Sequence, residues 1–183
     1  MKCRNDLTFE YVRECLDYDP DTGLFKWKTR PLEHFVNSRA WKIWNTRYAG
    51  KNAGYFVKIG YFNIRVNGIN YRTHRLAWLI TYGKWPKDHI DHIDGNRSNN
   101  RINNLRDVPN SENHKNIVML SVNTSGYSGI SARGDNWRAR ISINGKEKHL
   151  GTFKNIDEAI KVRKAAEIKY NFHPNHGRAK HYG

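Results

Sequence analysis

The side chains able to do chemistry crowd into two short stretches. The first is Asp88-His89-Ile90-Asp91-His92-Ile93-Asp94-Gly95-Asn96. The second runs through Asn103-Asn104-Leu105 to Glu112-Asn113-His114-Lys115-Asn116. An imidazole titrates near neutral pH and suits a general base toward water. Carboxylate and carboxamide oxygens suit a hard cation such as Mg²⁺. Phosphodiester hydrolysis needs both: a base for the water, and a divalent ion for the departing oxygen. If Asp91 and His92 end one strand, they point to opposite faces unless the backbone bends. One could then hold an ion while the other meets water. A helix after Pro109, capped by Asn110 or Ser111, would return Asn113 as a second oxygen donor.

The neighbouring polar residues divide by what local geometry offers them. Asp94 either meets a metal-bound water or closes the turn at Gly95, and the turn is the preferred reading. His89 reads as structural or phosphate-facing. His74 either supports the site or satisfies a hydrogen bond beneath it. On a helix Asn116 shares a face with Asn113, whereas His114 does not. Residues 87–118 are polar and rich in asparagine, but Ile90, Ile93, Ile102, Leu105 and Val108 can anchor a compact loop. Cys3 and Cys15 have no second pair, so neither a disulfide framework nor a cysteine-rich zinc site is expected.

These residues need elements to hold them. Thr8 is placed to cap a helix over Phe9–Leu16, a turn follows at Asp19–Gly23, and Leu24–Trp27 reads as a strand. Residues 29–54 are basic and tryptophan-rich without clear periodicity. They are expected to be loop and short elements, forming an arm that could touch a polyanion. Tyr61–Val66 and Ile69–Thr73 flank Asn67-Gly68, a strong hairpin signal. His74–Tyr82 reads as a helix with Leu76, Leu79 and Ile80 inward, stopped by Gly83 and Pro86.

After the polar stretch 121–126 a second pattern begins. Strands are expected at Gly129–Ala132, Trp137–Ile143 and Lys146–Phe153, with Asn144-Gly145 as a hairpin turn. An amphipathic helix should span Ile156–Tyr170, with Ala159, Ile160, Val162, Ala166 and Ile168 as burial candidates. Period-two alternation puts Trp137, Ala139, Ile141 and Ile143 under that helix and leaves Arg138, Arg140 and Ser142 on the open face.

Charge narrows the partners. The 183 residues carry 32 Lys+Arg against 17 Asp+Glu, a formal net charge of +15. The basic residues are spread along the chain, which favours a long polyanion such as double-stranded DNA. No apolar run approaches the roughly 20 residues of a membrane span. The start of the chain is not followed by an apolar signal core. An intracellular protein of the host cytoplasm, with no membrane partner, is expected.

The motifs HRLAW at 74–78, DHIDGN at 91–96, NNLR at 103–106 and SENHKN at 111–116 together resemble the HNH (His-Me finger, ββα-metal) nucleases. The resemblance is strongest to the phage and intron-encoded homing endonucleases. It implies His92 as general base, Asn104 as the residue orienting the ring or its loop, and Asp91 with Asn113 as metal ligands. Many relatives carry histidine at the third position. Asparagine there implies one hard ion per site, Mg²⁺ or Mn²⁺, rather than zinc.

Residues 126–172 resemble the APETALA-type (ethylene-response-factor-like) DNA-binding domain, through SGYSGIS, WRARISINGK, HLGTF and DEAIKVRKAAEIKY. The base-contacting positions that this implies fall on Ser131, Arg133, Arg140, Ser142, Glu147 and His149, with Arg138 on the same open face. Several depart from the Arg and Trp common in plant relatives, so the docking mode transfers better than the recognised sequence.

The expected protein is therefore α+β. It has a central ββα-metal motif, an N-terminal α/β region, and a C-terminal three-stranded antiparallel sheet packed on one helix. Its expected divisions are a nuclease domain at 1–120, a linker at 121–126, a DNA reader at 127–172 and a basic tail at 173–183. Its expected activity is metal-dependent, homing-type cleavage of DNA, one strand per active site, by a monomer or homodimer. The rival is a non-catalytic DNA-binding regulator with a vestigial site.

Overall fold

The computed structural model describes residues 5–177 apart from 110, 111, 113, 117, 118 and 120–122. The fold is α+β and divides into two compact units, residues 1–107 and 108–183. Among the described residues no helix is long and apolar enough to cross a membrane.

The first unit opens with helix α1 (Phe9–Cys15), whose cap Thr8 accepts a hydrogen bond from Tyr11 N. Strands β1 (Leu16–Tyr18) and β2 (Phe25–Trp27) pair antiparallel around the Asp19–Gly23 turn. Asp19 closes that turn by accepting from the backbone of Asp21 and Thr22 and from the Thr22 hydroxyl. Gly23 has φ +75°, and a Cβ there would lie 2.6 Å from backbone atoms of Asn100 and Arg101. A glycine is therefore needed where the turn meets the functional loop.

Residues 29–54 depart from the expected loop. They contain helix α2 (Ser38–Tyr48), capped by Asn37, which accepts from Ala40 N. Its inward side holds Trp41, Trp44, Asn45 and Tyr48, an i, i+3, i+4, i+7 set. Indoles and an asparagine carry that stripe, while Ile43 faces outward at 58% exposure. That inversion hides the helix from a hydrophobicity pattern.

Strands β3 (Tyr55–Val57), β4 (Tyr61–Val66) and β5 (Ile69–Arg72) form an antiparallel sheet in the order β3-β4-β5. The β4–β5 turn has positive φ at both Asn67 (48°) and Gly68 (78°), the backbone of a two-residue hairpin. Helix α3 (Thr73–Tyr82) follows without a break and ends on left-handed Gly83. It buries Leu76, Ala77 and Leu79 against α1 and β4, in a core with Val12, Cys15, Phe25, Ile64 and Val66. Ile80 is only partly buried there. Full burial contributes roughly 1.5–3 kcal/mol for each large apolar side chain. Strands β6 (His89–His92) and β7 (Leu105–Val108) form a two-stranded sheet carrying Ile90 and Leu105 into the same core.

The second unit holds β8 (Ile130–Arg133), β9 (Asn136–Ile143) and β10 (Lys146–Phe153), ordered β10-β9-β8 and antiparallel. Helix α4 (Ile156–Lys169) covers one face. Ala139 and Ile141 are buried beneath it, as the alternation requires. On the helix Ala159, Arg163 and Ala166 are buried, at i, i+4, i+7. Ile168 lies off that stripe and is 79% exposed, contrary to expectation. Arg163 takes an inward place because its Nε donates to Ser128 O and its Nη2 pairs with Glu167.

Candidate functional site

Strand β6 delivers Asp91 and His92 to a tight turn. Gly95 N donates to His92 O at 2.7 Å, and Ile93 N donates to Asn104 O at 2.9 Å. Both side chains are buried, Asp91 at 6% and His92 at 4% exposure.

Asn104, on a 3-10 turn at Ile102–Asn104, locks the loop rather than the ring. Its Oδ1 accepts from Asp94 N, and its Nδ2 donates to Asp94 Oδ1 and to Asn99 O. Asp94 in turn accepts from Asn96 N and Asn99 Nδ2. Burial pushes the Asp94 carboxyl upward, but these donors from Asn99, Asn96 and Asn104 outweigh it and hold the group below its ordinary range. Its lone pairs serve the turn at Gly95, the preferred sequence reading.

The contact to the ring comes from Asn100, which the sequence reading did not single out. Asn100 is buried, and its Oδ1 lies 3.3 Å from His92 Nε2. Its Nδ2 donates to Thr73 Oγ1 at 3.0 Å and to Ser98 O at 3.3 Å. A backbone carbonyl can only accept, so the amide nitrogen must face Ser98 and the amide oxygen must face the ring. His92 Nε2 therefore carries the proton, and in the neutral ring Nδ1 is the basic nitrogen. Asn100 is itself fixed from across the unit, because the Tyr18 hydroxyl donates to Asn100 O at 2.7 Å. One asparagine among many in this stretch carries no distinguishing sequence signal.

Asp91 also has a partner that sequence left unassigned. Arg106, on β7, donates to Asp91 Oδ2 from Nε at 2.9 Å and from Nη2 at 2.7 Å. A basic residue on the strand pairing with β6 is the signal that could have suggested it. His89 is exposed at the start of β6. Asn113, with Asn110 and Ser111, lies outside the described residues. Asn116 is buried in the second unit.

Aromatic rings close over His92. His74 on α3 meets it edge to face at 5.1 Å, and Tyr61 lies 6.0 Å away. Arg72 and Arg97 both stack over Tyr61. His74 Nδ1 is buried with no hydrogen-bond partner. Burial holds His74 well below the ordinary imidazole range, reinforced by His92 and by Arg75 and Arg72. Burial also lowers His92, against the opposing pull of Asn100, Asp94 and Asp91.

This has a consequence for stability. Both rings are held neutral in the fold, while the unfolded chain takes up protons near pH ~6.5. Their contribution is present above that pH and is lost as pH falls toward the folded values. The melting temperature is expected to drop between about pH 7 and pH 5, and His74→Phe should flatten that drop. Phenylalanine keeps a ring against His92 and removes the titratable nitrogens, of which Nδ1 is buried without a hydrogen-bond partner. An unchanged slope in the variant would clear His74 of that role.

In the second unit, strand register collects the other expected residues. Ser131 pairs with Arg138, Arg133 with Asn136, and His149 with Arg140, while Ser142 faces Glu147. Ser131, Arg133, Arg138, Arg140, Ser142 and His149 therefore share the sheet face opposite buried Ala139 and Ile141. Glu147 sits among them and ties two of the three arginines, Arg138 at 3.1 Å and Arg140 at 2.9 Å. Gly129 lets β8 approach. A Cβ there would meet Arg140 O at 2.4 Å and Arg163 Nε at 2.7 Å, and its φ is +76°.

Residues 71–115 match the family model described as HNH endonuclease. That segment is an HNH endonuclease domain, which supports DNA endonuclease activity. Asp91, His92, Asn100, Asn104, Arg106 and Asn113 all fall inside it. No curated protein and no solved structure matches the chain.

Proposed function

We propose that the chain is a homing-type, metal-dependent DNA endonuclease in which His92 is the general base and Asp91 and Asn113 hold one Mg²⁺ or Mn²⁺ ion. The observation that carries this reading is the His92 ring. It is buried, its proton is placed on Nε2 by Asn100, and the residue before it in the chain is the buried Asp91 carboxylate. A carboxylate is a hard oxygen donor and fits a hard cation. Among the described residues no three His, Cys, Asp or Glu side chains converge as a metal cluster. The donors in this reading are the Asp91 carboxylate and the Asn113 carboxamide.

In this mechanism His92 Nδ1 takes a proton from water while Nε2–H stays on Asn100 Oδ1. The amide oxygen then faces the positive charge that develops in the ring. Asn104 keeps the 93–99 loop closed beneath it, and Arg106 holds Asp91 in orientation. An ion held by Asp91 and Asn113 would supply positive charge toward the scissile phosphate and the departing 3′ oxygen. Cleavage would leave a 5′-phosphate and a 3′-hydroxyl. One such site cuts one strand, so a monomer nicks, and a double-strand break takes a dimer or a second event.

The C-terminal sheet would read DNA in the manner of an APETALA-type domain, laying Ser131, Arg133, Arg138, Arg140, Ser142 and His149 into the major groove. Support comes from the shared face and from its three arginines, Arg133, Arg138 and Arg140. Glu147 neutralises part of that face. Glu147→Gln is expected to tighten binding to unrelated duplex DNA about 3- to 10-fold at moderate salt, since one repelled phosphate contact becomes neutral. A gel-shift titration checks this, and weaker binding by the variant would remove the sheet face from the DNA contact.

The test of the activity is supercoiled DNA incubated with Mg²⁺, with Mn²⁺ or with EDTA. Nicked circles are expected with either metal and not with EDTA. Equal nicking in EDTA would overturn the metal requirement. Tight binding without nicking in either metal would favour the non-catalytic regulator.

A further inference from the structure

Helix α2 presents a face that the endonuclease reading above leaves unused. Arg39, Lys42, Ile43, Thr46 and Arg47 are all exposed and follow the i, i+3, i+4, i+7, i+8 order of one stripe. Among the described residues none of Arg39, Lys42 and Arg47 has a carboxylate partner. Between Leu24 and Lys58 the only acid is Glu33. Folding therefore leaves three cations in a row without a carboxylate partner among the described residues, Arg47 resting over the Tyr48 ring at 5.3 Å, next to an isoleucine 58% exposed.

The helix is rigidly mounted. Asn45 clamps Arg30, accepting from its N and donating to its O at 2.9 Å each, and Trp41 Nε1 donates to the same carbonyl at 2.8 Å. The Arg30 guanidinium is buried and stacks on Trp44 and Phe35 at 5.0 Å each. Past the helix, Gly50 N donates to Trp27 O and Trp27 N donates to Lys51 O, so the end of α2 is stitched onto β2. From β2 the path continues through Phe25, which packs on Tyr18 at 4.7 Å, to the Tyr18 hydroxyl on Asn100 O. Asn100 holds His92. A load on α2 is thus borne by the same framework that fixes the base.

We infer that α2 is a docking surface for the phosphate backbone of duplex DNA flanking the cleaved bond, with Arg39, Lys42 and Arg47 as its phosphate contacts. The inference rests on the endonuclease reading for its partner. Charge complementarity selects the duplex: an acid-free cationic stripe on a braced helix faces the one polyanion this unit acts on. Its role is to set where along the duplex His92 comes down.

The full-length protein with Arg39, Lys42 and Arg47 all changed to glutamine tests this in EDTA, so that binding is read without cutting. A control removes the same charge elsewhere, with Lys161, Lys164 and Lys169 on the exposed side of α4 changed to glutamine. The probe is a duplex that the wild-type enzyme nicks in Mg²⁺. The α2 variant should lose roughly 2 to 3 units from the slope of log Kd against log salt and bind at least about tenfold more weakly near 0.15 M salt. The control should lose less than one unit, and a footprint of the α2 variant should lose one contiguous flank while keeping the cut site. Circular dichroism and melting establish that both variants fold. An unchanged slope, an equal loss in the α4 control, or a footprint weakened uniformly along the duplex would each overturn the inference. If the wild-type enzyme neither binds nor nicks DNA, it is the endonuclease reading that fails.

Discussion

His92→Ala is expected to fold, to bind DNA with wild-type affinity, and to lose nicking by about 10²- to 10⁴-fold, the range a positioned general base contributes. The ring meets Asn100 Oδ1 through Nε2 and lies against the rings of His74 and Tyr61. None of these is a DNA contact, so affinity should survive its removal. Initial rates on supercoiled DNA, alongside a gel-shift titration, separate the two quantities. A variant that nicks at the wild-type rate would take His92 out of the base role. Rates that fall only in step with affinity would make it a binding residue.

Asn100→Leu should be nearly as informative. Leucine fills the space and removes the oxygen that keeps the proton on Nε2, so the ring loses both its tautomer and its orientation. A loss on the order of 10²-fold in kcat is expected, with KM little changed, because Asn100 does not touch the substrate. Asn100→Asp keeps an oxygen toward Nε2 while giving up the donations to Thr73 Oγ1 and Ser98 O, and should recover part of the rate. That rescue distinguishes a positioning role from mere packing. If the leucine and aspartate variants lose activity equally, or if the loss appears in KM, the ring-holding role fails.

Arg106 and Asn104 complete the same logic at longer range from the reacting atoms. Arg106 stands 15 positions from Asp91, yet the β6–β7 pairing brings its guanidinium within 2.7 Å of the carboxylate. Asn104 spends its amide on the loop, with three hydrogen bonds to Asp94 and Asn99. The resemblance allowed it either the ring or the loop, and the contacts fall on the loop. The ring was left to an asparagine four positions earlier.

Features governed by local backbone preference were legible in the residues alone. Asn67-Gly68 and Asn144-Gly145 announce hairpins because a two-residue turn needs positive φ, which these residues adopt at low cost. Thr8 announces a helix start because its hydroxyl reaches a nearby backbone N–H. Alternation along residues 137–143 assigns the two faces of β9 because successive side chains in a strand point opposite ways. The pairing of Asp91 with His92 was legible as a candidate for a similar reason, as both side chains sit in one short run.

Tertiary structure decided the rest, since those partners are distant in the chain and unremarkable in type. Tyr18 braces Asn100 across 82 positions. Helix α2 escaped detection because its inward stripe is built of indoles and an asparagine while an isoleucine faces out. Ile168 was expected inside, and Arg163 took an inward place because Ser128 O and Glu167 satisfy its charge there. Residue types and spacing thus determined which groups could do the chemistry. Only the tertiary contacts of Tyr18 and Thr73 with Asn100 decided which nitrogen of His92 faces that amide.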